Sequence, residues 1–313
     1  MMSRRRSVHP SSYVGIMLGS RGDEAMARAT IGGLEIEYQI YGEGTPALFI
    51  HGGFGGPNSS LLPSPNAITR DIPHGFQLIT FDRRCAGESD YTLDWFDLAD
   101  IASDAYGLMQ YLGFEQSIVV GSSMGGMVAL QYIHLFSHSV TALGLMNTGA
   151  DLMSRTNWGQ RLAHQVNRHK NEGDENVFAE YRERLRNPTP TAMPQGTSSE
   201  ARKQIEAGRN AYMNALTKTS DEDLCRYHAG MIRNASAFLG HDFTKTLASI
   251  AVPTLIVHGD ADDVVPYEYS EQLAAGIDNS KFITIPNARH GILSYGEARE
   301  ALSDWLLSLQ THR

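Results

Sequence analysis

The sequence predicts an α/β fold: a mostly parallel central sheet flanked by helices, with a second, helical module inserted into it. Three observations carry that reading. Short apolar runs without polar alternation recur between turn residues, as strands covered on both faces require. Helical patterns lie between those runs. The alternation then stops between about Gly149 and Thr246, where the sequence turns helical and charge-rich.

Taken in order, residues 1–28 read as a flexible extension. The Ser3-Arg4-Arg5-Arg6-Ser7 stretch has a trace of a twin-arginine export signal, but the apolar segment Tyr13 to Leu18 is short, broken by Gly15, and soon meets Asp23 and Glu24. The core is expected over 29–149 and 246–313, with the helical cap over 150–245. Core strands are expected at Ala47 to Ile50, Leu78 to Phe81, Ile118 to Val120, Leu143 to Met146, Thr254 to Val257 and Phe282 to Ile285. Leu98, Ile101, Ala102, Ala105, Leu108, Met109 and Leu112 share one helical face, as do Ala298, Ala301, Leu302, Trp305, Leu306 and Leu309. In the inserted module Ser220 precedes Asp223 at capping-box spacing, and Leu224, Tyr227, His228, Met231 and Ile232 form one stripe. That stripe is expected chiefly to seat the module on the core. Substrate-facing roles for Tyr212, Tyr227 and Met231 are the alternative.

Composition removes several function classes. The 313 residues are 42% hydrophobic and 19% charged, which suits a packed globular chain rather than a disordered one. Lys and Arg number 26 against 35 Asp and Glu, a formal charge of −9 that repels a phosphate backbone, so no nucleic-acid partner is expected. No run approaches the ~18 apolar residues of a membrane span, and no membrane partner is expected. Two cysteines make no disulfide framework, and the cytoplasm is the expected compartment. Asn58-Ser59-Ser60 and Asn234-Ala235-Ser236 fit the glycosylation sequon, which matters only for a secreted chain. Oligomeric state is not legible.

The chemistry-bearing pattern is Gly121-Ser122-Ser123-Met124-Gly125, a G-x-S-x-G pentapeptide between an expected strand and the helical Gly126 to Tyr132. At such a junction Ser123 sits on a sharp turn with its hydroxyl above the sheet, while Ser122 is structural. The backbone N–H of Met124 then faces the site from a helix N-terminus. A serine nucleophile needs a base and the base an orienting acid. Asp262 follows the strand ending at Val257 and is the chosen acid, with Asp260 and Asp263 as structural alternates. His290 follows the next strand and is the chosen base.

Among the 12 histidines, His134 and His138 have a spacing that a metal could use but lack a third ligand. His164, His169, His228 and His241 read as surface or packing residues of the inserted module. No metal is expected, and no cofactor. After the first core strand, His51-Gly52-Gly53-Phe54-Gly55-Gly56 allows the N–H of Gly53 or Phe54 to join Met124 as an oxyanion donor. A phosphate cradle is disfavoured by the missing Lys-Ser/Thr ending. The Asp82-to-Ser89 turn reads as support for the site, and Cys85 as structural.

Together these elements resemble the α/β-hydrolase superfamily, nearest to its capped serine esterase, lactonase and cofactor-free haloperoxidase branch, whose acid loop is similar to His258 to Asp262. The resemblance runs from about Ala29 to the C-terminus and puts the inserted module in the place of the lid. It implies a Ser123, His290, Asp262 triad and a serine hydrolase acting on a carboxylic ester or lactone through an acyl-enzyme. Ser123 argues against dehalogenases and epoxide hydrolases, whose nucleophile is aspartate. C–C bond hydrolases, which share Ser-Met-Gly-Gly, and proline-iminopeptidase-like amide hydrolases stay open. So does a hydrolase-fold small-molecule receptor with little turnover. In the Asp82 turn, Cys85 takes the place of the family's usual glycine.

Overall fold

A computed structural model describes residues 27–56, 72–153, 157–187 and 216–310, with scattered positions between 203 and 214. Eight strands form one sheet: β1 (Ala27–Ile31), β2 (Leu34–Gly42), β3 (Gly44–Ile50), β4 (Gly75–Phe81), β5 (Ser117–Ser122), β6 (Val140–Met146), β7 (Thr254–Gly259) and β8 (Ser280–Ile285). Their spatial order is β1-β2-β4-β3-β5-β6-β7-β8. β1 and β2 join antiparallel at one edge, and the six from β4 to β8 run parallel. Every expected core strand lies inside one of these.

The apolar runs feed two cores. Leu48, Ile50, Ile79, Val119, Leu143 and Leu145 pack on one face of the sheet. Their neighbours Ala47, Phe49, Leu78, Val120, Ala142 and Met146 pack on the other. Because side chains alternate along a strand, both faces are covered only when successive residues are apolar. Helix α1 (Leu98–Tyr111) buries the expected stripe from Leu98 to Met109 and is capped by Asp97, whose side chain accepts from the Asp100 N–H. Helix α2 (Met124–Phe136) is buried over its first ten residues.

β1 and β2 were not foreseen. The expected extension over 1–28 overlaps β1, because Arg28 is already paired with Glu37 across the edge of the sheet. Residues 1–26 and the Pro188-to-Ser199 link lie outside the described residues.

Between β6 and β7 come helices α3 (Asn157–Glu172), α4 (Asp174–Arg186) and α5 (Asp221–Ser236). The Phe243 N–H donates to the Ala150 carbonyl at 3.0 Å, which ties the two ends of this segment together. Ser220 caps α5 as expected, accepting from the Asp223 N–H at 3.0 Å. The most buried face of α5 is in part polar. Arg233 grips Asp174 with two nitrogens, at 3.1 and 2.8 Å, and donates to the Leu93 carbonyl at 2.7 Å, while Asn234 donates to the Arg84 carbonyl at 2.8 Å. These bonds fasten the helical segment to the loop after β4. Helices α6 (Glu268–Gly276) and α7 (Gly296–Gln310) complete the layers, and α7 buries Ala298, Leu302, Trp305 and Leu306.

Two histidines, the buried His51 and the half-buried His228, make this packing sensitive to acid. Burial above all, then the neighbouring Arg83 charge, holds His51 down at about 3. Burial and then His169 hold His228 at about 4. The folded protein leaves His51 neutral until about pH 3, whereas the unfolded chain protonates it below roughly 6.5. Stability is therefore flat with respect to His51 above 6.5 and falls as the pH drops through that window, by about 1.4 kcal/mol per unit. Denaturant unfolding at pH 7 and pH 4.5 is expected to differ by about 3 kcal/mol from His51 alone, and His51→Asn to flatten the slope. An unchanged slope in that variant contradicts the assignment.

Candidate active site

Ser123 stands between β5 and α2 with φ 53° and ψ −124°, a conformation that costs an L-residue strain. The turn closes because its flanks are glycines. A Cβ on Gly121 would lie 2.2 Å from the Gly125 carbonyl oxygen, and one on Gly125 would lie 2.1 Å from that of Ile50. The backbone is pinned on both sides: the Ser123 N–H donates to Met146, and the Ser123 carbonyl accepts from the Gly126 N–H and the Thr148 hydroxyl. Met124 opens α2, so its N–H has no acceptor within the helix.

The structure brings Ser123, His290 and Asp262 together. Ser123 Oγ lies 3.1 Å from His290 Nε2, and His290 Nδ1 lies 2.8 Å from Asp262 Oδ2. A carboxylate only accepts, so Nδ1 carries the ring proton and Nε2 presents a lone pair to the hydroxyl. The other sequence-derived acids are engaged elsewhere. Asp260 accepts from the Asn287 N–H at 2.6 Å, and Asp263 pairs with Arg289 on the surface.

Asp262 is deeply held, its side chain 0% exposed. Burial by itself would raise its pKa. Hydrogen bonds from His258, His290 and the N–H groups of Val265 and Val264 outweigh that and keep the carboxyl well below the usual carboxylate range. His258, wholly buried, lies 3.3 Å from Asp262 Oδ2 and donates from the same Nε2 to the Val265 carbonyl at 3.0 Å. Its Nδ1 meets the Ser270 hydroxyl.

The glycine loop lies against the serine: a Cβ on Gly52 would sit 2.9 Å from Ser123 Cβ. Gly53 adopts φ 79°, and Phe54 packs edge-on to Phe238 with ring centroids 6.3 Å apart. In the supporting turn Cys85 holds φ 57°, the left-handed region that explains a glycine preference there. The Cys85 N–H still donates to Asp90 and its carbonyl still accepts from Gly56. Burial pushes the Cys85 thiol up to about 12, which leaves it a poor nucleophile.

The residues named in the inserted module fall differently. Tyr227 stacks edge-on to Tyr91 at 4.8 Å, and Met231 covers Gly56, so both lie where α5 meets the core. Tyr212 lies outside the described residues. His134 and His138 are exposed at the end of α2.

Three neighbours of the site received no individual role in the sequence reading, although two lie in stretches it singled out, the acid loop and the Asp82-to-Ser89 turn. One is His258. The second is Asn147, which follows β6 with φ 41°, accepts from the Ser122 hydroxyl at 2.9 Å and sets its amide nitrogen 3.1 and 3.4 Å from the two ring nitrogens of His290. The third is Arg83. Each stands at or just past the C-terminal end of a parallel strand, the position that should have drawn attention to them.

Comparison with known proteins agrees with this architecture. The chain is 26% identical to the AB hydrolase superfamily protein YisY of Bacillus subtilis, over 84% of this chain and 90% of that protein. It is 27% identical to a bifunctional esterase/perhydrolase of Acinetobacter calcoaceticus, over 83% and 91% of the two chains. Among solved structures, an esterase from Thermogutta terrifontis superposes with TM-score 0.68 at 24% identity, covering 91% of this chain and 98% of that one. The enol-lactonase of Burkholderia xenovorans LB400 superposes with TM-score 0.64 at 18% identity, covering 91% and 100%. The sequence pattern that defines the α/β hydrolase fold matches residues 45–297, which contain the glycine loop, the strained serine, the acid loop and the histidine. On that match and the parallel sheet beneath it, the chain belongs to the α/β-hydrolase fold family.

Proposed function

We propose that the protein is a serine hydrolase that cleaves a carboxylic ester or lactone of a medium-sized, largely apolar small molecule through an acyl-enzyme. The observation that carries this reading is the unbroken relay from Asp262 through His290 to Ser123, with contacts of 2.8 and 3.1 Å. His290 Nε2 takes the Ser123 proton as Oγ attacks the carbonyl carbon. The Asp262 carboxylate, held ionised, stabilises the imidazolium that forms. The N–H groups of Met124 and of Gly53 or Phe54 receive the developing oxyanion. His290 then protonates the departing alkoxide, and in the second half it activates water to release the acid. In a lactone the leaving alkoxide stays tethered to the acyl group, and the same steps open the ring. No cofactor enters this sequence.

Likeness to a protein named as an esterase and perhydrolase supports ester chemistry. An apolar substrate is supported by the half-buried Phe54 and Met231 beside the glycine loop. We place Tyr227, Met231 and Tyr212 as the residues of the helical segment through which substrate preference is set, and the purified protein as active without metal.

Turnover of p-nitrophenyl butyrate and of a panel of aliphatic lactones is the direct test. The wild type is expected to hydrolyse at least one of them, and Ser123→Ala to lower kcat by about 10⁴-fold or more. A folded wild type inert across the panel would turn the reading toward a binding protein. Asp262→Asn removes the charge and favours the wrong imidazole tautomer, so kcat is expected to fall by about 10³ to 10⁴ with KM little changed. Asp260→Asn, at a side chain that accepts from the Asn287 N–H, is expected to keep kcat within about threefold. Equal losses in the two variants would refute the choice of Asp262.

A further inference from the structure

The residue after β4 and Asp82 is Arg83, whose side chain is wholly buried. Its Cζ lies 5.7 Å from the centroid of the Phe238 ring. Nη2 donates to the Gly53 carbonyl at 2.6 Å and reaches the Gly52 carbonyl at 3.3 Å. Nε and Nη1 have no hydrogen-bond partner among the described residues. Burial lowers the guanidinium to about 10, so it remains charged at neutral pH.

His51 completes the grip. Its Nδ1 donates to the Gly52 carbonyl at 2.7 Å, and its Nε2 accepts from the Arg83 N–H at 3.4 Å. That arrangement needs a neutral ring with the proton on Nδ1. Both carbonyls of the glycine loop are thus fixed from one side by one buried guanidinium and one neutral imidazole.

Peptide planarity converts this into chemistry. In a trans peptide unit the C=O and the following N–H point in opposite directions. Holding the Gly52 carbonyl orients the Gly53 N–H, and holding the Gly53 carbonyl orients the Phe54 N–H. Gly52 itself is pressed against Ser123, so Ser123 and Arg83 both touch this short loop. We propose that Arg83 is a positioning residue for the oxyanion site: it turns the N–H groups of Gly53 and Phe54 toward the oxygen that gains charge at Ser123 and places a buried positive charge behind them. The inference rests on the ester-hydrolase reading and assigns Arg83 no contact with substrate.

A role confined to holding the loop would lower stability and leave the chemistry of the folded fraction intact. The positioning role predicts a loss specific to the transition state. The test uses the full chain as wild type, Arg83→Gln and Arg83→Lys, with the folded fraction normalised by circular dichroism. Turnover of p-nitrophenyl butyrate gives kcat and KM. Inhibition by an alkyl trifluoromethyl ketone, which forms a tetrahedral oxyanion adduct on the serine, gives a second and independent reading.

In Arg83→Gln, kcat and ketone affinity are expected to fall together by about 10- to 100-fold, with KM within about threefold. Arg83→Lys keeps a cationic donor without the planar fork and is expected to fall between that variant and the wild type. Wild-type kcat and ketone affinity in folded Arg83→Gln would overturn the proposal, as would a loss that disappears on normalisation. Should Arg83→Gln not fold, the same comparison with Arg83→Lys decides, and unchanged values there overturn it. A wild type inert to both ester and ketone would instead sink the hydrolase reading itself.

Discussion

The backbone of Ser123 is the constraint on which the rest of this structure depends. A non-glycine residue at φ 53° is held only where its surroundings leave no alternative. Here the surroundings are β5 locked between β3 and β6, a helix that begins at the next residue, and two glycines whose missing Cβ atoms let the chain fold back on itself. The Thr148 hydroxyl and the Met146 carbonyl hold the serine's own carbonyl and N–H. Ser123 is placed by the architecture of the sheet, and among the described residues its hydroxyl meets only His290 Nε2.

Charge is distributed around that point in two opposed sets. On one side Asp262, buried yet rich in donors, keeps a negative charge against the far nitrogen of His290. On the other, Arg83 lies behind the glycine loop with a positive charge. In the proposed acylation, proton transfer from Ser123 to His290 creates a positive imidazolium beside Asp262 and a negative oxygen facing the glycine loop whose carbonyls Arg83 holds. Fixed charges of this kind need little reorganisation as the reaction proceeds.

The parallel strands were legible in the sequence because burial on both faces demands continuous apolar runs. Ser123, Asp262 and His290 stood out because each follows such a run, at a position a packing-only protein has no need to fill with those side chains. β2 was missed because Leu34-Glu-Ile-Glu-Tyr-Gln-Ile-Tyr41 alternates polar and apolar residues and so offers no continuous apolar run, although the fold buries Glu37 against Arg28. β1 is too short to show any period. Arg83, Asn147, Arg233 and Asn234 were not legible because polar residues carry no periodic signal, and only the folded chain reveals which carbonyl or carboxylate each one meets. The apolar stripe of α5 showed that the helix packs, but not that Arg233 and Asn234 fasten it to the loop after β4.

The central claim is that the relay activates Ser123, and intact-protein mass after exposure to a fluorophosphonate tests it most directly. The account predicts one adduct on the wild type, none on Ser123→Ala and a strongly slowed reaction in His290→Ala. A folded wild type that takes up no adduct, or a His290→Ala variant labelled as fast as the wild type, would contradict it.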